Sequence, residues 1–261
     1  MEQKRTALVT GGYGAIGQAI CRQLAEKDYQ VAVAGRDKMK LQKAVEEIIQ
    51  QSGNRAVTFE LVDLSDEQSI IALSERWNGP LHVLINNAST TPRSREENKE
   101  GVEMQWATNV LGYYRMIKYM HPMMEGQEDA RIVNVASYWA GGLDLDDPEF
   151  KDRPYDNDTA YRAGKQADRM LSSAFAERLK DKDISVNAVH PGDVNSKLSN
   201  NLGYGGFESP DQGADTPVWV ATAEELKGVS GKYFEHRQES SDSFSKDKEE
   251  VKRLMEICEG Y

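Results

Sequence analysis

The amino-acid sequence predicts one α/β domain, in which a doubly wound parallel sheet of about seven strands carries helices on both faces. Two features predict this class. Short apolar runs alternate with amphipathic segments of helical length along the chain, as parallel strands alternate with crossover helices. No internal repeat or linker composition interrupts the alternation, so we assign residues 1–261 to a single domain.

Apolar runs that are short and bounded by polar or glycine-containing segments are predicted to be strands. They cover residues 6–10, 30–34, 56–61, 81–85, 131–135, 184–189 and 230–234. The run at 81–85 is typical of a strand that is buried on both faces of the sheet.

Helical patterns separate the predicted strands. They cover residues 18–28, 66–77, 100–124, 159–179, 216–225 and 246–258. Ser65 is the predicted N-cap of the helix at 66–77. Residues 141–158 form an acidic stretch without periodicity, and residues 238–261 are predicted to be a polar C-terminal tail. Residues 195–212 are rich in Asn, Ser and Gly, and we interpret this long loop as a mobile substrate lid.

The composition narrows the range of partners. A net charge of −11 argues against nucleic acid or an anionic membrane surface as the main partner. Cys21 and Cys258 are too few for a disulfide framework, which fits a reducing compartment. The sequence shows no signal peptide and no apolar run of about 18 residues. We predict a cytoplasmic protein with no membrane span, and we assign no residue to a metal site.

The first strand leads into a glycine-rich loop. Gly12, Gly14 and Gly17 satisfy the spacing G-x-G-x-x-G, and a helical pattern follows at once. In that context the backbone N–H groups and the helix N-terminus meet the pyrophosphate of a dinucleotide. A tight turn would give the same spacing, but the position of this loop between the first strand and the first helix favours cofactor binding.

Two adjacent residues after the second strand point to different cofactors. Arg36 can pair with the 2′-phosphate of NADP, whereas Asp37 can accept hydrogen bonds from the free 2′-hydroxyl of NAD. Asp37 also lies about 20 residues beyond the last loop glycine, the spacing of an NAD-reading acid. It could equally cap the next helix. The residues alone leave the choice between these cofactors open.

Tyr161 and Lys165 are the candidates for chemistry. Residues four apart on a helix share one face, with β-carbons about 5–6 Å apart. An ammonium at that distance favours the phenolate and can lower the pKa of the tyrosine, which then exchanges a proton with a substrate oxygen. The alternative is a packed tyrosine beside a solvated lysine.

Together with other motifs, these residues resemble the short-chain dehydrogenase/reductase family, which has a Rossmann-like fold. The loop at 10–17 resembles the family's Thr-Gly-x-x-x-Gly-x-Gly, with Ala15 in place of the middle glycine. The segment at 86–89 resembles Asn-Asn-Ala-Gly, with Ser89 in place of the glycine. The segment at 191–196 resembles Pro-Gly-x-Val-x-Thr.

The resemblance implies hydride transfer between a nicotinamide and a carbonyl or alcohol carbon. It implies that Tyr161 exchanges the proton, Lys165 bonds the nicotinamide ribose, Ser137 holds the substrate oxygen and Asn109 passes protons towards solvent. The implied cofactor-binding residues are Gly11, Tyr13, Gly14, Ala15, Ile16, Gly17, Arg36, Asp63, Leu64, Asn87, Ala88, Tyr161, Lys165, Pro191, Gly192, Val194 and Ser196.

Within the family, the chain is most similar to the retinol dehydrogenase and carbonyl reductase branch. An Arg at position 36 goes with NADP there, so the resemblance favours NADP(H) over NAD(H). Two other classes stay open, a redox-sensing module that binds NADP without turnover and a scaffold that binds partners through 141–158 and the tail. The long separation of Ser137 and Tyr161 adds chain beside the family's pairing helices, so we expect a monomer or a dimer.

Overall fold

The computed structural model describes residues 4–261. Within them, eight strands form one sheet in the order β3-β2-β1-β4-β5-β6-β7-β8. The strands are β1 (Thr6–Thr10), β2 (Gln30–Gly35), β3 (Val57–Leu61), β4 (Val83–Asn86), β5 (Ala130–Val135), β6 (Ile184–Val189), β7 (Tyr233–Glu235) and β8 (Gln238–Ser240). The strand order reverses direction between β1 and β4, and ligands of such sheets bind at this switch point.

The helices cover both faces of the sheet. The α-helices of residues 4–261 are α1 (Ala15–Glu26), α2 (Lys38–Ser52), α3 (Glu67–Arg76), α4 (Gly112–Met120), α5 (Asn157–Arg178), α6 (Lys197–Asn201), α7 (Pro210–Thr222) and α8 (Lys248–Glu259). One buried apolar cluster joins α1, α2 and α7 to the sheet, and another joins α3, α4, α5 and α8 to it. The predicted doubly wound α/β domain is confirmed.

The helix predicted at 100–124 begins later and changes its winding. A π-helical segment (Trp106–Leu111) precedes α4, and a 3₁₀ turn (His121–Met123) follows it. The start is set by Glu103, whose carboxylate accepts hydrogen bonds from the backbone N–H of Gln105 at 2.9 Å and of Trp106 at 2.7 Å. The apolar pattern before that point belongs to a loop.

Two predicted helix starts are also wrong. Asp66 caps α3, because its carboxylate accepts from the Gln68 N–H at 3.0 Å, while the Ser65 hydroxyl donates to Asp63 instead. The helix expected at 216–225 begins at Pro210, within the predicted lid. Proline fits the first turn of a helix, and Ser209 caps it.

The predicted polar tail is structured. It supplies an eighth strand, β8, which runs antiparallel to β7 after a tight turn at His236 and Arg237, both at positive φ. The residues of β8 are polar, so the strand lacks the apolar run from which the other strands were predicted. Helix α8 confirms the helix expected near 246–258, and its Val251, Leu254 and Cys258 pack in the core beside α5.

Helix α8 and the 141–158 segment lie together over one side of α5. An ion pair between Arg253 and Asp146 joins them, and Leu145 and Phe150 of the segment are buried. The expected monomer or dimer stays a prediction. None of the helices found between residues 4 and 261 has both the length and the apolarity needed to cross a bilayer.

Candidate active site

The candidate site lies where the carboxyl ends of β1, β4, β5 and β6 meet at one edge of the sheet. A cavity of about 200 Å³ opens there. Its lining brings together Ser137, which follows β5, with Tyr161 from α5 and the 190–194 segment that follows β6. Six of the implied cofactor residues line this cavity, namely Ile16, Tyr161, Pro191, Gly192, Val194 and Ser196.

The glycine loop is shaped by backbone contact. A β-carbon on Gly17 would lie 2.3 Å from the Gly11 carbonyl oxygen, and Gly11 itself has φ +64. Gly14 is the N-cap of α1 and has no side chain to satisfy the first N–H groups of that helix. The helix therefore presents free donors and a positive dipole end, the arrangement that binds a phosphate.

The end of β4 is fastened to this loop. The Thr10 hydroxyl accepts hydrogen bonds from the N–H of Asn87 at 2.9 Å and of Ala88 at 3.1 Å. The Asn87 side chain returns a bond to the Thr10 carbonyl at 2.9 Å. Ala88 lies directly against Gly11, where a β-carbon would be 2.7 Å from the Ala88 Cα. These contacts set the width of the crevice between β1 and β4.

Arg36 and Asp37 differ in how they are engaged. The Arg36 side chain is exposed beyond β2. Asp37 caps α2, with its carboxylate accepting from the Lys40 N–H at 3.1 Å and pairing with the Lys40 ammonium at 3.0 Å. The capping alternative for Asp37 is therefore what the structure shows. The Tyr13 ring covers Gly35, where a β-carbon would lie 2.4 Å from it.

Asp63 and Leu64, in the loop that follows β3, lie in different surroundings. Asp63 is partly buried and accepts hydrogen bonds from the N–H and hydroxyl of Ser65, at 3.0 and 2.7 Å. Leu64 is buried in the core beside Gly112, which has no β-carbon to push it away. Any contact that Leu64 makes with a nucleotide is left to its backbone.

The four implied catalytic residues lie on three adjoining elements. Ser137 accepts a hydrogen bond from the Trp139 N–H at 3.1 Å, and the Lys165 ammonium lies 5.8 Å from the centre of the Tyr161 ring. Gly164 of α5 lies against the π-helical segment, where an added β-carbon would make ordinary contacts, 3.5 Å from Val110 Cγ2 and 3.9 Å from the β-carbon of Asn109.

Asn109 is fully buried within the π-helical segment. Its side-chain oxygen accepts from the Thr90 N–H at 2.8 Å, and its amide donates to the Thr90 carbonyl at 3.0 Å. The side chain thus fixes the loop that follows β4. π-Helical turns often mark functional sites.

The expected lowering of the pKa of Tyr161 is not found. Burial raises the pKa of the phenol above its ordinary value, a hydrogen bond with Ser137 opposes the change, and the charge of Asp168 adds to it. The ammonium of Lys165 is already paired, donating to Asp168 at 2.8 Å and to the Val135 carbonyl at 2.8 Å. Sequence reasoning missed Asp168, although an acid three residues after a lysine shares its helix face.

The residues expected near the nicotinamide form a folded turn. Gly192 has φ +95, and Val194 is buried against Gly213, where a β-carbon would be 2.3 Å from the Val194 side chain. The Ser196 hydroxyl caps α6, accepting from the Ser199 N–H at 3.1 Å. The predicted lid at 195–212 therefore contains α6 and the start of α7, and its mobility stays a prediction.

Sequence reasoning also missed an aromatic wall, formed by Tyr138, Trp139, Tyr204 and Phe207. Trp139 stacks face to face on Tyr204, with ring centres 5.2 Å apart and planes 6° apart. The Tyr204 hydroxyl donates to Asp158 at 2.5 Å.

His190, which directly follows β6, also lines the cavity, and its ring makes an edge-to-face contact with Tyr138, with centres 4.4 Å apart. Burial lowers the pKa of His190 to about 3, so this wall carries no histidine charge at neutral pH. Among residues 4–261, no group of three His, Cys, Asp or Glu side chains is placed to hold a metal ion.

A nicotinamide-dependent α/β oxidoreductase is the class that this fold and site define. The sequence pattern of the family described as "short chain dehydrogenase" matches residues 5–204. The chain belongs to the short-chain dehydrogenase/reductase family.

Named relatives agree with this membership. A "Probable oxidoreductase" of Streptomyces antibioticus is 35% identical over 90% of this chain and 86% of its own length. "Retinol dehydrogenase 12" of Mus musculus is 31% identical over 98% of this chain and 85% of its own length. A solved structure, of a putative uncharacterized protein from Mycobacterium Paratuberculosis, superposes with a TM-score of 0.83 at 25% identity and covers 98% of this chain and 92% of that one. The expected likeness to retinol dehydrogenases is confirmed.

Proposed function

We propose that the protein is an NADPH-dependent reductase of carbonyl compounds, with a small-molecule ketone or aldehyde as its substrate. One observation carries the proposal: Tyr161 and Ser137 line one cavity together, and Lys165 lies behind them on the face of α5 that carries Tyr161. A raised pKa keeps Tyr161 a phenol at neutral pH, which is the form that donates a proton to a carbonyl oxygen.

The residues present fit a dinucleotide. A β-carbon at Gly11 or Gly17 would collide with backbone or with Asn87, so the loop is kept open by glycine beside the uncapped start of α1. Arg36 is exposed next to it and free to meet a 2′-phosphate, whereas Asp37 is occupied as a helix cap. These features support NADP(H) over NAD(H), and the resemblance favours the same cofactor.

When bound, the nicotinamide supplies a hydride to the carbonyl carbon. The Ser137 hydroxyl donates a hydrogen bond to the carbonyl oxygen and holds it beside Tyr161. The Tyr161 hydroxyl then gives its proton to that oxygen, so that the product is an alcohol. Lys165 lies on the inner side of Tyr161. The backbone of Asn109 helps to pass protons from Lys165 to solvent. The same groups run alcohol oxidation in reverse.

The cavity wall supports an apolar, planar substrate. Aromatic faces from Tyr138, Trp139 and Tyr204 bind flat apolar groups through stacking and burial. One relative, 31% identical to the chain, is named retinol dehydrogenase 12, and retinol is an apolar alcohol. Aryl ketones, aryl aldehydes and retinal are therefore the first compounds to test.

The test is a panel of aromatic and aliphatic aldehydes, ketones and quinones, each with NADPH and with NADH. We expect oxidation of NADPH with aromatic carbonyls and slower oxidation of NADH. A redox-sensing module would bind the nucleotide but reduce none of the carbonyl compounds. A scaffold would bind neither the nucleotide nor the carbonyl compounds. Either result would refute the proposed activity.

A further inference from the structure

A buried ion pair stands directly behind the proposed proton donor. Asp168 and Lys165 are one helical turn apart on α5, and their oxygen and nitrogen atoms are 2.8 Å apart. The side chains are 0% and 2% exposed. The second bond of the ammonium goes to the Val135 carbonyl at 2.8 Å, which leaves one of its three protons for another partner.

In the part of the chain that the structure describes, Asp168 pairs with no cation other than Lys165. The titratable groups that sense it are Tyr161 and Lys165 from its own helix, Tyr113 from α4 and Cys258 from α8. Tyr113 and Cys258 stay uncharged, because burial raises the pKa of each. Within the described residues, the second oxygen of the Asp168 carboxylate has no hydrogen-bond partner. Burial raises the pKa of Asp168 to about 7, and Lys165 opposes that rise through its charge and its hydrogen bond.

The pair alters the field at Tyr161. An unpaired ammonium close to a phenol favours the phenolate, whereas a carboxylate at similar range favours the phenol. With both present the two charges oppose each other at Tyr161. Burial is the largest cause of its raised pKa, and Asp168, Asp158 and Tyr204 add to the rise. Burial favours the neutral phenol.

We propose that Asp168 is a positioning residue: its carboxylate holds the Lys165 ammonium against the sheet and opposes its charge, so that Tyr161 stays a phenol and donates its proton. This role rests on the proposed reductase function. Through this role, Asp168 favours the proton-donating form of Tyr161 in the unliganded site. The reductive direction gains from that bias, because only the phenol can protonate the substrate oxygen.

The test follows the ionisation of Tyr161 in the full chain by nuclear magnetic resonance, with 13C at the ζ carbon of tyrosine. The chain has 11 tyrosines, and the Tyr161 signal is identified by its loss in Tyr161→Phe. Asp168→Asn keeps an acceptor for the ammonium and removes the charge. We expect Tyr161 to ionise about one pH unit or more below its midpoint in the unaltered protein. Glu177→Gln, the same change at an exposed site on α5, should leave the midpoint in place.

Titration of Tyr161 at the same pH in Asp168→Asn and Glu177→Gln would overturn the proposal. If Asp168→Asn does not fold, the unaltered protein decides. The role requires a Tyr161 midpoint at or above the ordinary value of about 10, which burial also favours, and a midpoint below about 10 contradicts the role. These titrations need neither substrate nor nucleotide, so they stand apart from the carbonyl panel. On an active substrate, the alkaline limb of the kcat profile for reduction should move to lower pH in Asp168→Asn.

Discussion

The two sides of the candidate site are built in different ways. On the nucleotide side, the loop at 11–17 and the end of β4 are shaped by main-chain contacts, with Gly17 and Gly11 too close for a β-carbon. On the substrate side, Tyr138, Trp139 and Tyr204 form the wall with side chains. A surface made of backbone suits a ligand common to many proteins, whereas a wall of side chains can change its preference by substitution.

The largest effect should come from the residue between the two sides. Tyr161→Phe removes one oxygen and leaves the ring, so nucleotide affinity should change little while turnover falls by about 10²–10⁴-fold. Steady-state reduction and a nucleotide titration measure the two quantities. Tyr119→Phe is the matched control, because its hydroxyl bonds Glu67 on α3, away from the cavity. Unchanged turnover in Tyr161→Phe would place the proton donor elsewhere.

Lys165→Met and Ser137→Ala further separate the effect on turnover from the effect on nucleotide affinity. The lysine variant should lose both rate and nucleotide affinity, since the family resemblance implies that the ammonium bonds the nicotinamide ribose. The serine variant should lose rate alone.

The backbone side should respond strongly to a single methyl group. In Gly17→Ala the new carbon meets the Gly11 carbonyl and the Asn87 amide, at 2.3 and 2.7 Å, so the loop must shift. Overpacking of this kind costs about 1–3 kcal/mol, which corresponds to about 5- to 150-fold in nucleotide affinity. Isothermal titration with NADPH measures the loss. Gly260→Ala is the control, because Gly260 lies far along the chain from this loop, has φ −81, and an added β-carbon there would come no closer than 3.4 Å to another atom. Equal losses in both variants would contradict the packing explanation.

A smaller effect should follow from the charge at the rim. If Arg36 meets the 2′-phosphate, NADPH should bind more tightly than NADH by about 2 kcal/mol, and Arg36→Ala should remove most of that difference. The two dissociation constants measured side by side give the answer. Arg55→Ala, an exposed arginine before β3, should keep the preference. Equal affinities in the unaltered protein would show that Arg36 does not select the cofactor.

The smallest effect belongs to the aromatic wall. Trp139→Ala removes the ring stacked on Tyr204, and aromatic contacts of this kind contribute about 0.5–1.5 kcal/mol. KM for an aryl ketone should therefore rise by about 2- to 12-fold, while KM for a small aliphatic ketone and the affinity for NADPH stay level. Trp139→Phe keeps a ring and should restore most of the preference. A uniform rise for both ketones would argue against stacking.

The same contrast explains what the sequence could predict. The glycine spacing, the Tyr161–Lys165 pair and the strand–helix alternation are local patterns with fixed geometric meaning, and each was found in its expected place. The stack of Trp139 on Tyr204 joins segments that are far apart in the chain, and no local period marks it. The burial of Asp168 depends on Tyr113 and Cys258, which α4 and α8 bring against α5.

Errors in the elements had local causes. Ser65 and Asp66 are both good caps and stand next to each other, so composition could not choose between them. Strand β8 consists of Gln238, Glu239 and Ser240, which carry no apolar signal, and only its pairing with β7 makes it a strand. A proline at the start of α7 was interpreted as part of a loop, although the first helical turn accepts it.

The β7–β8 hairpin also affects how neighbouring molecules meet in a crowded solution. The free edge of a sheet offers unpaired N–H and C=O groups to any extended chain nearby. Here the edge strand is β8, which has three residues and carries Glu239, held by Lys232 at 2.8 Å. A chain that tried to add itself to this edge would find few backbone partners and a charged rim. The hairpin thus guards this side of the sheet against strand addition, the route by which folded β proteins aggregate.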